Sequence, residues 1–139
     1  MAHVLKLFRA PKRRAPMEEL AEAPVTSNSG LEGCAHARPN GKRQVLLVDR
    51  ETLDAMNLQA GIVRENSTTD GLAVNDLKVG QQLRVGSTQL EVSAVCEPRE
   101  ELEKVRSGLQ QAMEGRRGML CLVIAGGTVR SGDTIEIIS

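Results

Sequence analysis

A mostly β chain, folded as a barrel with a few short helices, is what this sequence predicts, and three observations carry the prediction. Roughly six to eight short segments alternate, or run apolar, over strand-like lengths. Glycine turns separate them. No regular strand–helix–strand repeat is present to build a parallel sheet.

Residues 3–8 open the series, with Val4, Leu5, Leu7 and Phe8 giving a short strand its apolar bulk. Lys12, Arg13 and Arg14, set between Pro11 and Pro16, read as a solvated basic loop. Residues 17–25 fit a helix through Glu18, Glu19 and Glu22, or an edge strand through the Pro24-Val25 ending. Thr26-Ser27-Asn28-Ser29-Gly30 is turn chemistry. A loop bracketed by Gly30 and Gly33 follows and leaves Cys34 exposed on this reading. It is no dinucleotide fingerprint, because no strand–glycine–helix unit surrounds it. The continuous apolar run at 44–48 (QVLLV) suggests a strand buried on both faces. Asp49 then caps a short helix over 50–56, with Glu51 favourable in its first turn.

Gly61 ends that unit, and residues 62–67 read as a mixed strand. Asp70-Gly71 is a turn and 72–77 an irregular link. Residues 83–85 and 90–95, joined across Gly86-Ser87, make the clearest hairpin. The second of these strands must end at Pro98, which has no N–H for a ladder. Leu102, Val105, Leu109 and Met113 then follow at helical spacing, and Gly115 is placed as a helix C-cap. Residues 119–125 and 134–138 supply the last strands, with Gly126-Gly127 and Gly132-Asp133 turning between them. The stretch 90–118 therefore sets a thiol at a strand end, an amphipathic cover and two guanidiniums together. That suits an anionic ligand beside a cysteine, and equally an ordinary β-turn-helix-β connection.

At 139 residues the chain is long enough for one domain with a real core, spanning 1–139, and too short for two ordinary ones. Its formal net charge of zero removes a global electrostatic case for nucleic acid or a membrane surface. Phe8 is the only aromatic ring, which excludes base stacking on aromatic platforms. No apolar run has membrane-spanning length, and the first sixteen residues lack the features of a secretory signal. The three cysteines, at 34, 96 and 121, form no disulfide framework and no metal-type pairing, so a cytoplasmic setting is expected.

Read in order, several stretches resemble the small, stand-alone members of the MOSC family, named for the C-terminal domain of molybdenum-cofactor sulfurases. They are Gly30-Leu31-Glu32-Gly33 with His36, then Arg43-Gln44-Val45-Leu46-Leu47, then Gly61 followed by Arg64-Glu65-Asn66 and Thr68. Leu77 with Gly80 before Leu83, and Cys96-Glu97-Pro98, continue the series. Gly108-Leu109, Gly115-Arg116-Arg117-Gly118, Gly126-Gly127 and Arg130 with Gly132-Asp133 complete it. The resemblance implies a closed β-barrel with a pocket rimmed by the loops that hold these motifs. It implies binding of the molybdenum cofactor (molybdopterin), a pterin carrying a phosphate and a metal dithiolene, and hence of molybdenum. Some members carry sulfur on a cysteine, others belong to enzymes that reduce N-hydroxylated compounds, and the family is associated with pyridoxal phosphate enzymes. A molybdoenzyme or reductase partner follows from the same likeness.

Two positions depart from the family pattern. The family cysteine follows the proline that ends the strand, where this chain has Arg99. After Gly-Leu-Glu-Gly the family has Asp then Arg, where this chain has Cys34 and Ala35. The catalytic candidates are therefore Cys96 and Cys34. Cys96 would be a nucleophile or sulfur carrier held as thiolate by Arg99, Arg116 or Arg117, or else a small apolar residue finishing a strand. Cys34 would be a relocated thiol or a neutral loop replacement, and Cys121, inside an apolar run, is core. Arg43, Arg64, Arg99, Arg116, Arg117 and Arg130 are the candidates for binding a pterin-type or other anionic small molecule, because guanidinium forks match phosphate and pterin carbonyls. Glu65 and Asn66 would fix ligand amides or close the barrel by hydrogen bonds. His36 would be an acid or ligand contact, or would lock its loop. The expected function is cofactor binding with sulfur transfer or delivery to a molybdoenzyme; the alternative is a non-enzymatic binding or interaction module, since an arginine at 99 cannot act as a thiol.

Overall fold

In the computed structural model, which describes residues 2–138, two sheets organise the chain. Their strands are β1 (His3–Arg9), β2 (Glu18–Leu20), β3 (Glu22–Thr26), β4 (Gly30–Leu31), β5 (Val45–Asp49), β6 (Ser67–Asp70), β7 (Gln82–Val85), β8 (Thr88–Val95), β9 (Met119–Ala125), β10 (Gly127–Arg130) and β11 (Ile135–Ile137). The larger sheet runs β11-β7-β8-β9-β5-β6-β1-β2, and the smaller β10-β3-β4. Two short helices accompany them, α1 (Arg50–Ala55) and α2 (Leu109–Ala112).

The apolar run of β5 is buried at every position, as its composition predicts, and the pairing gives the reason. β5 lies between β6 and β9, and its alternating side chains serve two separate cores. Val45 and Leu47 join the main core with Leu83, Val92, Cys121 and Val123. Leu46 and Val48 join a second core with Leu53, Cys96, Leu109 and Met113. Each fully buried Leu or Met contributes about 1.5–3 kcal/mol of transfer free energy. β5 and β6 are parallel, so the chain needs a crossover between them, and α1 with the loop after it supplies one. The Asp49 carboxylate accepts the Thr52 N–H at 3.2 Å, so the predicted cap forms.

The closed barrel is not formed. The larger sheet ends in β2 and β11, both of three residues, which do not pair with each other. Among the described residues its ends approach at the start of β1, where His3 bridges Thr134, Ile135 N–H donates to Ala2 O, and Val4 exchanges backbone hydrogen bonds with Gly132 and Asp133. One bridge is not a ladder: β1 pairs with β6 on both sides of a register shift between Val4 and Lys6, and its other edge goes to β2 from Leu7 onward.

Other expectations shift locally. Residues 17–25 resolve into strands and not a helix: β2 is an edge of the larger sheet, but β3 is the middle strand of the smaller one, paired with β4 and with β10, which went unrecognised in the sequence. Residues 62–66 form a turn and not a strand; β6 begins at Ser67. The reason is Arg64, held at φ +64, a left-handed conformation that interrupts pairing. The helical pattern over 102–113 breaks into a 3₁₀ turn (Glu100–Lys104) and the single turn α2. Gly108 sits at φ +85 between them, and the Glu103 carboxylate accepts the N–H groups of both Gly108 and Gln110 at 2.9 Å. Leu102, Leu109 and Met113 are buried as the spacing predicts, but Val105 is 38% exposed.

Candidate functional site

Where β8 ends, the Cys96-Glu97-Pro98 corner meets three other segments and leaves a cleft of about 80 Å³. Its walls come from Arg43 before β5, Ile62–Arg64 of the turn before β6, Arg99, Glu101, Leu102 and Val105 of the 3₁₀ region, and Arg117 before β9. Cys96 N–H donates to Gly118 O at 3.0 Å, which pins the corner to the start of β9. Gly118 has φ +106, and a Cβ there would strike the Leu47 carbonyl, so only glycine allows this approach to β5.

Guanidiniums dominate the cleft. Arg43 Nη2 lies 3.7 Å from Cys96 Sγ. Arg117 Nη2 donates to Val63 O at 2.6 Å, while its Nη1 is buried and has no partner. Burial pulls Arg117 below the usual arginine value; the Cys96 sulfur and the Glu65 carboxylate act against that, and Arg43 acts with it. Arg64 Nη1 donates to Ala15 O at 2.6 Å, tying the basic loop to the cleft wall. Arg99 is exposed. Among the described residues no ion pair joins Arg43, Arg64, Arg99 or Arg117 to a carboxylate.

Five sequence candidates thus converge: Cys96, Arg43, Arg64, Arg99 and Arg117. The others lie elsewhere. Arg116 is exposed and outside the cleft lining, and Arg130 pairs with Glu22 at 3.3 Å on the smaller sheet. Glu65 is fully buried; its Oε2 accepts from Gly61 N at 2.8 Å and Thr68 Oγ1 at 2.7 Å, and its Oε1 has no partner. Asn66 works as a clasp. Its Oδ1 accepts from Leu46 N at 3.0 Å, and its Nδ2 donates to Phe8 O at 3.2 Å and to Cys34 Sγ at 3.4 Å.

Cys34 is not exposed, contrary to its glycine-loop setting, and only 7% of it is accessible. Its sulfur accepts from Ala10 N at 3.4 Å as well as from Asn66. Burial would push this thiol up, but hydrogen bonds from His36 and Ala10, with the His36 charge, outweigh it and bring the thiol down to about 7. Cys121 is fully buried with no such donors, and burial pushes it up to about 12. The sequence reading missed the apolar walls Ile62 and Val105, 42% and 38% exposed, because a helical spacing assigned Val105 inward and a strand pattern absorbed Ile62.

Comparison with solved structures finds the same fold in several proteins. YiiM from Escherichia coli is 26% identical with a TM-score of 0.75, the match covering all of this chain and 70% of that one. YiiM from Geobacillus stearothermophilus is 17% identical with a TM-score of 0.83, covering all of this chain and 76% of that one. The YuaD protein from Bacillus subtilis is 18% identical with a TM-score of 0.80, covering 96% and 93% of the two chains. A comparison with curated proteins finds no significant match. The model of the MOSC domain matches residues 35–136, a span that takes in β5 to β10, the cleft and all its lining residues. The chain belongs to the MOSC domain family.

Proposed function

We propose that this chain binds the anionic end of a molybdenum-cofactor or similar pterin-type ligand at the Cys96 cleft, and that Cys96 is the thiol serving that ligand in sulfur transfer or delivery to a molybdoenzyme. The observation that carries the reading is the Cys96 sulfur lying 3.7 Å from Arg43 at a cleft lined by four arginines. The donor set fits a phosphate: Arg43, Arg99 and the unpartnered Nη1 of Arg117 would hold it, since charge-assisted forks to phosphate are the strong class of hydrogen bond. When bound, such a cofactor supplies the metal and its dithiolene. The chain's own part is narrower. Arg43 and Arg117 orient the anion, Gly118 holds the Cys96 corner against β9, and Glu65 fixes the turn that presents Val63 to Arg117. Cys34 has no share in this reading, because its sulfur is engaged by backbone and carboxamide donors away from the cleft.

Purification from cells competent in molybdenum-cofactor synthesis, with metal analysis and pterin fluorescence after oxidative release, tests the reading. Molybdenum and pterin near one per chain, both lost in Cys96→Ala or Arg117→Gln protein, are expected. Protein free of both, and still free after incubation with the cofactor, would overturn it. Arg99 favours a second reading, since an exposed arginine stands at the cleft where the resemblance expects a thiol. On that reading the chain keeps the binding cleft and performs no sulfur chemistry, and Cys96→Ala protein would retain full ligand loading.

A further inference from the structure

The size of the cleft and the charge it holds together narrow the ligand more than family membership does. Pockets for drug-sized ligands begin at roughly 300 Å³. The Cys96 cleft measures about 80 Å³, well below that scale. A cleft of that size suits a small oxyanion better than an enclosed pterin ring. Four guanidiniums face it against two carboxylates, Glu97 and Glu101, and leave an excess of two positive charges. A divalent oxyanion would neutralise that excess.

The hydrogen-bond inventory agrees. Arg117 Nη1 is buried and without a partner although its sister Nη2 is committed to Val63 O, and such an orphan is costly unless something meets it. Arg43 Nη2 donates to the Cys96 sulfur, and among the described residues Arg43 forms no ion pair with a carboxylate. From these facts we infer that the cleft is a self-sufficient site for a free tetrahedral oxyanion of the phosphate or sulfate class, read by Arg43, Arg99 and Arg117 with the Cys96 thiol at its edge. This rests on the same cleft as the function proposed above but assigns recognition to the oxyanion itself and not to the ring that carries it. An anion there would oppose, by its charge, the lowering that burial imposes on Arg117.

The test is titration of the intact protein with inorganic phosphate, followed by calorimetry and by the rate of Cys96 alkylation with iodoacetamide. Saturable binding, displaced by sulfate, with alkylation slowed at Cys96 and unchanged at Cys34, is expected. Arg43→Gln and Arg99→Gln, both exposed positions, should weaken phosphate about threefold to tenfold, and Arg117→Gln by about tenfold or more. Arg130→Ala, on the other sheet, should leave it unchanged. If phosphate binds equally to wild type and to all three cleft variants, its site is elsewhere and the inference falls. If inorganic phosphate and sulfate fail to bind while a phosphorylated pterin does, the inference also falls, and the proposed function survives. If phosphate binds as expected and the phosphorylated pterin binds no better, the inference stands and the cofactor reading falls.

Discussion

Cys96 and Cys34 are almost equally inaccessible, 2% and 7% exposed, and their surroundings are opposite in kind. Cys96 sits at the edge of a cleft whose guanidiniums, among the described residues, form no ion pair with a carboxylate, and Arg117 Nη1 there has no partner. Cys34 is ringed by donors already employed in holding the chain: the Ala10 amide that ends β1, the Asn66 carboxamide that ties β1 to β5, and His36 of its own loop. Burial alone therefore does not tell the two thiols apart. What distinguishes them is the company each sulfur keeps: a guanidinium at the cleft for Cys96, backbone and carboxamide donors for Cys34.

The comparison can be broken most forcefully from the cleft side. Met113 is fully buried in the second core with Cys96, and Met113→Ala should cost about 3 kcal/mol in urea unfolding. It should raise the alkylation rate at Cys96 and leave Cys34 unchanged; equal acceleration at both would mean that the two cores do not respond separately. Asn66→Ala attacks the other region. It strands the Leu46 amide and the Phe8 carbonyl and should cost about 2 kcal/mol, now with Cys34 the thiol that becomes accessible. Unaltered stability in that variant would remove Asn66 as the clasp.

A smaller effect follows from the Cys34 thiol being lowered from its ordinary 9.0 to about 7. Between those values the folded chain binds fewer protons than the unfolded one, so stability rises with pH across the window and the contribution is lost as pH falls through 7. Cys34→Ala should flatten that rise between pH 7 and 9. Above 9 the sign reverses through Cys121, whose thiol stays protonated when folded, to about 12, and stability should fall. The smallest change is expected at Arg130, whose pairing with Glu22 is exposed on both sides. Arg130→Ala should shift stability by less than about 0.5 kcal/mol, and a larger loss would mean that β10 depends on more than its backbone ladder with β3.

Much of the fold is written locally in this chain. The QVLLV run specifies a strand with both faces covered, Asp49 specifies a cap, and the residues around Gly86-Ser87 specify the hairpin of β7 and β8, whose ladder pairs Val85 with Thr88. Each depends on residues within a turn or two of one another, where spacing and turn chemistry decide. Arg64 shows the limit of that logic. Its neighbours read as a strand, but Gly61 and Arg64 are both left-handed, and the Glu65 carboxylate binds the turn from inside. Val105 shows it again: the helical period assigned it inward, and Gly108 broke the period.

The sequence by itself determined the strand-rich class, the buried run of β5 and the excess of arginine in the motif loops, because periodicity and composition act over short spans. Only the tertiary structure decided that Arg43, Arg64, Arg99 and Arg117 share one cleft, that Arg116 and Arg130 do not, and that the sheet stops short of closing. It also decided the fate of Cys34, whose partners Ala10 and Asn66 lie 24 and 32 residues away. Those contacts form when sheet order and loop closure bring distant segments together, and no local pattern carries that information.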